Sequence, residues 1–280
     1  MRITIFGATG MLGKALMRQW SGDEVAGLGS ADADLRSPDE IEKVVCESNP
    51  DWIVLSAAYT DVDGCEKNRE LAMAVNTHGP VNVARVAKRN GAKLLFVSTD
   101  YVFNGKKTTP YETGDPRDPI NAYGKSKADA EAGLLEISPE ACIARTSWLF
   151  GPWGKCFPDT ILKLAETRPE LDVVDDQRGC PTYTFDLATT IIALCRKGAK
   201  GIVHCTNRGV CSWFDFASEV LRQAGSKTQV RPTTSDRFVR PAARPSYSVL
   251  SHASLDSYGI TMRDWKDTLS DFLRLRDTPA

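Results

Sequence analysis

The chain of 280 residues predicts an α/β fold built on a doubly wound parallel sheet. Three observations carry this. Short β-branched runs alternate with longer amphipathic stretches through the first half. A glycine-rich turn lies between the first strand and the first helix. After Gly151 the alternation loosens, as expected of a smaller second region.

Strands are expected at 2–6, 24–28, 52–56, 93–97 and 141–144, each a short run rich in Val, Ile, Leu or Phe. Amphipathic spacing predicts helices at 11–19, 39–47, 69–89 and 122–135. Strand, helix and strand in succession imply right-handed crossovers, with helices on both faces of the sheet. Further on, the pattern predicts a helix at 157–167, a strand at 171–174, a helix at 185–195, a strand at 201–205 and a helix at 213–224. The stretch 225–245 reads as irregular and basic, with Lys227, Arg231, Arg237, Arg240 and Arg244 against Asp236 alone. It suits a solvated loop or a wall for an anionic ligand. A helix at 262–276 closes the chain.

Composition narrows the function classes. Charged residues at 25% and hydrophobic ones at 42% exclude a disordered, collagenous or coiled-coil chain. A net charge of −1 supplies no global field for a nucleic-acid backbone. The apolar run before Gly7 is too short for a signal peptide, and no window of ~18 apolar residues follows, so a soluble, cytoplasmic protein without membrane partners is expected. The eight cysteines show neither C-x-x-C nor zinc spacing with the three histidines, and read as reduced core thiols.

Gly7, Gly10 and Gly13 form a G-x-x-G-x-x-G turn that follows the first strand and opens the first helix. Such a turn lets backbone approach a pyrophosphate, and the unpaired amides at the helix start attract its charge. The second strand ends in Val25-Ala26-Gly27-Leu28-Gly29-Ser30, a small uncharged corner without the carboxylate that would repel a 2′-phosphate. With Arg2 or Arg36 as candidate partners for that phosphate, the corner favours NADPH and leaves NADH open.

The chemistry is expected from Tyr123 and Lys127, whose i, i+4 spacing puts a phenol and an ammonium on one helix face. A nearby cation favours phenolate and is expected to lower the Tyr123 pKa. The strand at 93–97 delivers Ser98, Thr99 and Asp100 to the sheet edge where open parallel sheets bind ligands. Thr99 is a hydrogen-bond donor to a reacting oxygen. Ala57, Ala58, Tyr59 and Thr60, after the preceding strand, are expected as a wall against a flat cofactor ring. Together these groups describe hydride transfer at a carbonyl carbon.

The segments GATGMLG, AAYTDVDGCE, STDYVFNG, YGKSK, RTSWLFG, DDQRGCPT, SWFDFA and RPSYSVL, spread over nearly the whole chain, resemble the extended short-chain dehydrogenase/reductases and, within them, the dTDP-4-dehydrorhamnose reductase family. The resemblance implies a Rossmann-type NAD(P)-binding domain at 1–150. A smaller, mainly substrate-binding α/β domain would occupy 151–280, with segments such as 171–205 returning to the first. It implies reduction of the C4 ketone of a dTDP-linked 6-deoxy-4-keto-hexose, with Tyr123 as proton donor, Lys127 on the nicotinamide ribose and Thr99 on the carbonyl oxygen. Gly10, Met11 and Leu12 match the family's pyrophosphate turn, Asp34 and Leu35 its adenine contact, and Ala58, Tyr59 and Thr60 its cofactor wall. Asp100 and Trp148 match sugar-nucleotide contacts, and Arg244 lies in a basic segment suited to the thymidine diphosphate.

The chain departs from the family at Cys156 and Tyr247, where Asn is common. Some members dimerise through magnesium held by an acidic residue of the first helix. Lys14 and Ala15 stand there, so no metal is expected, and the chain should be a monomer or weak dimer. The alternatives are a reductase of another NDP-4-keto sugar, an epimerase or dehydratase, and a non-catalytic regulatory subunit on the same fold, of the type that associates with methionine adenosyltransferase. Asp100-Tyr101 is not the carboxylate pair that a dehydratase would need after Thr99.

Overall fold

The computed structural model describes residues 1–279. Its first half runs β1 (Arg2–Phe6), α1 (Met11–Gln19), β2 (Glu24–Leu28), α2 (Pro38–Ser48), β3 (Trp52–Leu55), α3 (Val62–Lys67), α4 (Arg69–Met73), α5 (Gly79–Arg89), β4 (Lys93–Thr99), α6 (Ala122–Ile137) and β5 (Cys142–Thr146). The second half continues with β6 (Leu149–Phe150), α7 (Phe157–Ala165), β7 (Glu170–Val174), β8 (Arg178–Gly179), β9 (Thr182–Tyr183), α8 (Thr184–Arg196) and β10 (Gly201–His204). It ends with β11 (Cys211–Ser212), α9 (Trp213–Gln223), β12 (Gln229–Thr233), α10 (Ala253–Asp256) and α11 (Trp265–Leu275).

Six strands form a parallel sheet in the order β10-β5-β4-β3-β1-β2. The chain winds outward from β1 in both directions, so the crevice lies beyond the carboxyl ends of β1 and β3. Both faces are covered, which is why all four residues of β3 are buried and the strand is apolar without alternation. One face packs on α1 and α8, with Leu16, Val54 and Ile191 in its core. The other packs on α2, α5 and α6, with Ile41, Val83 and Leu134. A third core under Phe150, Phe216, Trp265 and Phe272 holds the later elements together. Seven of the eight cysteines are buried, Cys46 being exposed.

Two expectations change. The stretch 225–245 is not wholly irregular: β12 pairs in parallel with β7 from Gln229↔Glu170 to Thr233↔Val174. Its sequence, QVRPT, lacks an apolar face because it lies half exposed at an edge, where Pro232 is tolerated. The predicted helix at 69–89 is interrupted. A π-helical turn at Ala74–His78 joins α4 to α5, and α3, not predicted at all, precedes them. The wider turn inserts the buried Asn76 and Thr77 side chains between elements. Among the described residues no helix is long and apolar enough to cross a membrane.

Candidate functional site

A cavity of about 660 Å³ opens at the carboxyl ends of β1, β3, β4 and β5. On its β1 side lies the start of α1. The capping position, Gly10, has no side-chain cap, and the first turn carries no acidic residue, so the helix amides and dipole are left to an anion. A methyl group added at Gly13 would come within 2.0 Å of the Gly7 carbonyl oxygen. Only glycine lets α1 begin this close to the turn. The cradle fits a pyrophosphate.

The opposite wall is α6, started by Asn121, whose side chain accepts from the Gly124 amide at 2.7 Å. This helix brings Tyr123 and Lys127 into the cavity beside Thr99 and Asp100 from the end of β4. The Thr99 hydroxyl donates to Asp100 Oδ1 at 3.1 Å and accepts from the Tyr101 amide at 3.2 Å. Asp100 Oδ2 is buried without a partner among the described residues. Burial, more than any neighbour, pushes the Asp100 carboxyl up to about 7.

Lys127 is 2% exposed; its Nζ donates to the Val97 carbonyl at 2.7 Å and sits 3.8 Å from the Phe96 ring centroid. Desolvation pulls it down to about 7, opposed by the Glu131 carboxylate. The expected lowering of the Tyr123 pKa by Lys127 is not found. Desolvation of the enclosed phenol, then the Asp100 charge, push it upward, while the Thr99 hydroxyl works the other way. With Lys127 turned to Val97 and Phe96, Tyr123 rests as a neutral phenol. That is the form a proton donor requires.

Asn76, which the sequence did not single out, anchors this wall. Its Oδ1 accepts from the Tyr59 amide at 2.7 Å, and its Nδ2 donates to the Tyr59 carbonyl at 3.0 Å and to Ser126 Oγ at 3.2 Å. Thr77 Oγ1 donates to the Ser126 carbonyl at 2.7 Å. The π-helical turn therefore locks the end of β3 to the helix carrying Tyr123 and Lys127.

At the far end Trp148, with φ +46°, stacks on Trp213, ring centroids 3.6 Å apart. Trp213 Nε1 donates to Gln177 Oε1 at 3.1 Å, and both indoles line the cavity. Trp213 was not expected at the site; its only signal was the SWFDFA segment.

The family model described as RmlD substrate binding domain matches residues 1–277. The chain belongs to this family. It is 40% identical over 279 residues to the spore coat polysaccharide biosynthesis protein SpsK of Bacillus subtilis, covering 99% of this chain and 98% of that one. To the dTDP-4-dehydrorhamnose reductase of Mycobacterium tuberculosis it is 41% identical over 282 residues, with 97% and 92% covered. The crystal structure of the Bacillus anthracis dTDP-4-dehydrorhamnose reductase in complex with NADP superposes with a TM-score of 0.95 at 38% identity, covering 98% of each chain. The fold is therefore the Rossmann-type fold of the extended short-chain dehydrogenase/reductases.

Within this RmlD-family chain the cavity gathers Gly7, Gly10, Met11, Leu12, Gly13, Ala57, Ala58, Thr60, Thr99, Asp100, Tyr123, Lys127 and Trp148 of the residues expected at the site. Six others lie elsewhere. The Leu35 side chain is core, packed with Phe6 and Ile41, and Asp34 is held by Arg36, whose Nε donates to its Oδ2 at 2.9 Å. The same pairing occupies Arg36, and Arg2 sits at the amino end of β1, the wrong edge for a cofactor phosphate. Tyr59 turns toward Gly64 and Asp61. Arg244 lines a second, basic cavity with Lys106, Lys107 and Arg178, and is held there by Asp63 at 2.6 Å.

Proposed function

We propose that the protein is an NADPH-dependent reductase of dTDP-4-dehydro-L-rhamnose, forming dTDP-L-rhamnose. The observation that carries this reading is the convergence of Thr99, Tyr123 and Lys127 on one cavity that also contains the anion cradle of α1. Relatives named dTDP-4-dehydrorhamnose reductase, and a similar structure with bound NADP, support the substrate class and the cofactor.

When bound, the nicotinamide supplies a hydride to C4 of the keto sugar. Gly10, Met11, Leu12 and Gly13 hold the pyrophosphate on the amides of α1. Ala57, Ala58 and Thr60 line the cofactor, and Lys127 holds the nicotinamide ribose. Thr99 donates a hydrogen bond to the C4 oxygen and Tyr123 protonates it, so the oxygen becomes a hydroxyl without carrying full negative charge. Trp148 borders the sugar, and Asp100 offers it a hydrogen-bonding carboxyl. Arg244 of the neighbouring basic cavity faces the nucleotide diphosphate. Residues 1–150 then serve mainly the cofactor and 151–280 mainly the sugar nucleotide. The reading describes a cytoplasmic enzyme, monomeric or weakly dimeric, acting on a free nucleotide sugar.

The test is NADPH oxidation by purified protein given dTDP-4-keto-6-deoxyglucose and a 3,5-epimerase. Oxidation that requires both, with dTDP-L-rhamnose as product, is the expected outcome. NADPH binding without oxidation would instead favour a regulatory protein on this fold.

A further inference from the structure

Beside the cavity, which Ser98 lines, lies a buried charge cluster that the proposed mechanism does not use. Glu131 follows Lys127 by one turn of α6, on the same face, and is 0% exposed. Its Oε1 accepts from Ser98 Oγ at 2.6 Å and from Arg145 Nε at 2.9 Å. Its Oε2 accepts from Arg145 Nη2 at 2.7 Å and from Arg117 Nη1 at 3.3 Å. Ser98 and Arg145 each sit beside a working part. Ser98 stands between Val97, whose carbonyl holds Lys127, and Thr99. Arg145, 1% exposed, is three residues before Trp148 and bonds Glu131 in a two-point fork.

We propose that Glu131 is a positioning residue for the reductase reaction: its carboxylate ties the strand ends carrying Thr99 and Trp148 to the helix carrying Tyr123 and Lys127, and is the counter-charge of Lys127. This rests on the roles given to those residues above. The geometry accounts for both halves. Three elements, β4, α6 and β5, meet at one carboxylate with four charged or hydroxyl donors on it. Among the described residues Lys127 has only a carbonyl and an aromatic ring as near partners, so burial disfavours its charge, and Glu131 is the charge that opposes this.

The other titratable groups around the pair are Arg145 and Arg117, Tyr123 on α6, Asp100 beyond β4, His204 on β10 against Arg145 at 3.4 Å, and Asp115 near His204. Burial, with the Arg145 charge added, keeps His204 neutral by pulling it down to about 3. Asp100 titrates in the same range as Lys127, but burial is the chief cause of its shift and Glu131 is not among the groups that move it. A difference between two profiles therefore reports on Lys127.

The experiment compares the wild type with Glu131→Gln, Glu131→Asp and the double variant Glu131→Gln/Arg145→Met. The readouts are kcat and the NADPH dissociation constant, by nicotinamide fluorescence, between about pH 6 and pH 9. Lys127 acts as the ammonium, so both activity and cofactor affinity fall as pH rises through its pKa. Without the Glu131 charge that pKa drops. The alkaline limbs of Glu131→Gln should move about one pH unit lower, with kcat on the acid side reduced on the order of tenfold by the loosened alignment. Glu131→Asp keeps the charge and should return the limbs to the wild-type pH. If Glu131→Gln folds poorly because Arg145 is left unpaired, the double variant, which removes that unpaired guanidinium, should still carry the lowered limbs. Limbs at the wild-type pH in both Gln-containing proteins, whatever their melting temperatures, would overturn the proposal and leave a purely structural ion pair. Absence of sugar-dependent oxidation in the wild type would count against the reductase reading, while the NADPH-affinity limb would still decide the role of Glu131.

Discussion

Trp148 and Trp213, 65 positions apart in the chain, stack with ring planes 7° apart and centroids separated by 3.6 Å. The stack holds Trp148 in a left-handed backbone conformation that costs a bulky residue about 1–3 kcal/mol. Gly179 makes room for it: a methyl group there would meet Trp148 Cε2 at 2.5 Å. We expect Trp148→Ala and Gly179→Ala each to raise the KM for the sugar nucleotide on the order of tenfold or more, while the KM for NADPH stays within about twofold. Equal effects on both constants would return the pair to the core.

In the proposed reaction Tyr123 supplies the proton. Tyr123→Phe removes the hydroxyl and leaves the ring that meets Tyr101 edge-on at 6.1 Å. Turnover should fall at least on the order of 10²-fold, with NADPH affinity measured by fluorescence nearly unchanged. Turnover near the wild-type rate would remove Tyr123 from the reaction.

The α1 cradle depends on a bare backbone. Gly13→Ala places a carbon where the Gly7 carbonyl already stands, so the turn must open before the helix can start. NADPH binding should weaken on the order of tenfold or more, a loss of about 1.4 kcal/mol or greater, and the thermal midpoint should fall with it. Calorimetric titration checks the first and a melting curve the second.

His204 sets part of the acid stability. Its folded pKa, about 3, is depressed by burial and then by Arg145, and Nδ1 has no partner among the described residues. The unfolded chain takes up a proton near pH 6.5 that the folded chain refuses. Stability from this group is therefore complete above that pH and is lost as pH falls toward 3, by about 2 kcal/mol at pH 5. His204→Asn should flatten the fall in unfolding free energy between about pH 7 and pH 5, measured by denaturant titration. An unchanged slope would show that His204 takes up its proton in the fold as it does in the unfolded chain.

Much of the architecture was legible because it follows local periodicity. The bounds expected at 2–6, 11–19 and 24–28 are those of β1, α1 and β2. The glycine turn and the Tyr123–Lys127 spacing are contiguous patterns whose chemistry follows from a strand, a turn and one helix face. The polar edge strand β12 escaped notice because its pairing with β7, not its own pattern, makes it a strand.

The remaining parts of the site come from distant segments. Asn76 gains its role through a π-helical turn that no sequence period announces, Trp213 through its stack on Trp148, and Glu131 through Arg145 and Ser98 on two other strands. Asp34, Leu35 and Tyr59 show the converse, since packing and ion pairing turned their side chains away from the main cavity, and Arg244 lines the neighbouring one. The sequence alone therefore determined the α/β class, the glycine turn and the phenol–ammonium pair, because each depends on neighbours within one or two turns of chain. Only the tertiary structure decided which aromatic rings and buried charges complete the site. Stacking, desolvation and ion pairing depend on which strand ends meet in space, and chain spacing does not encode that.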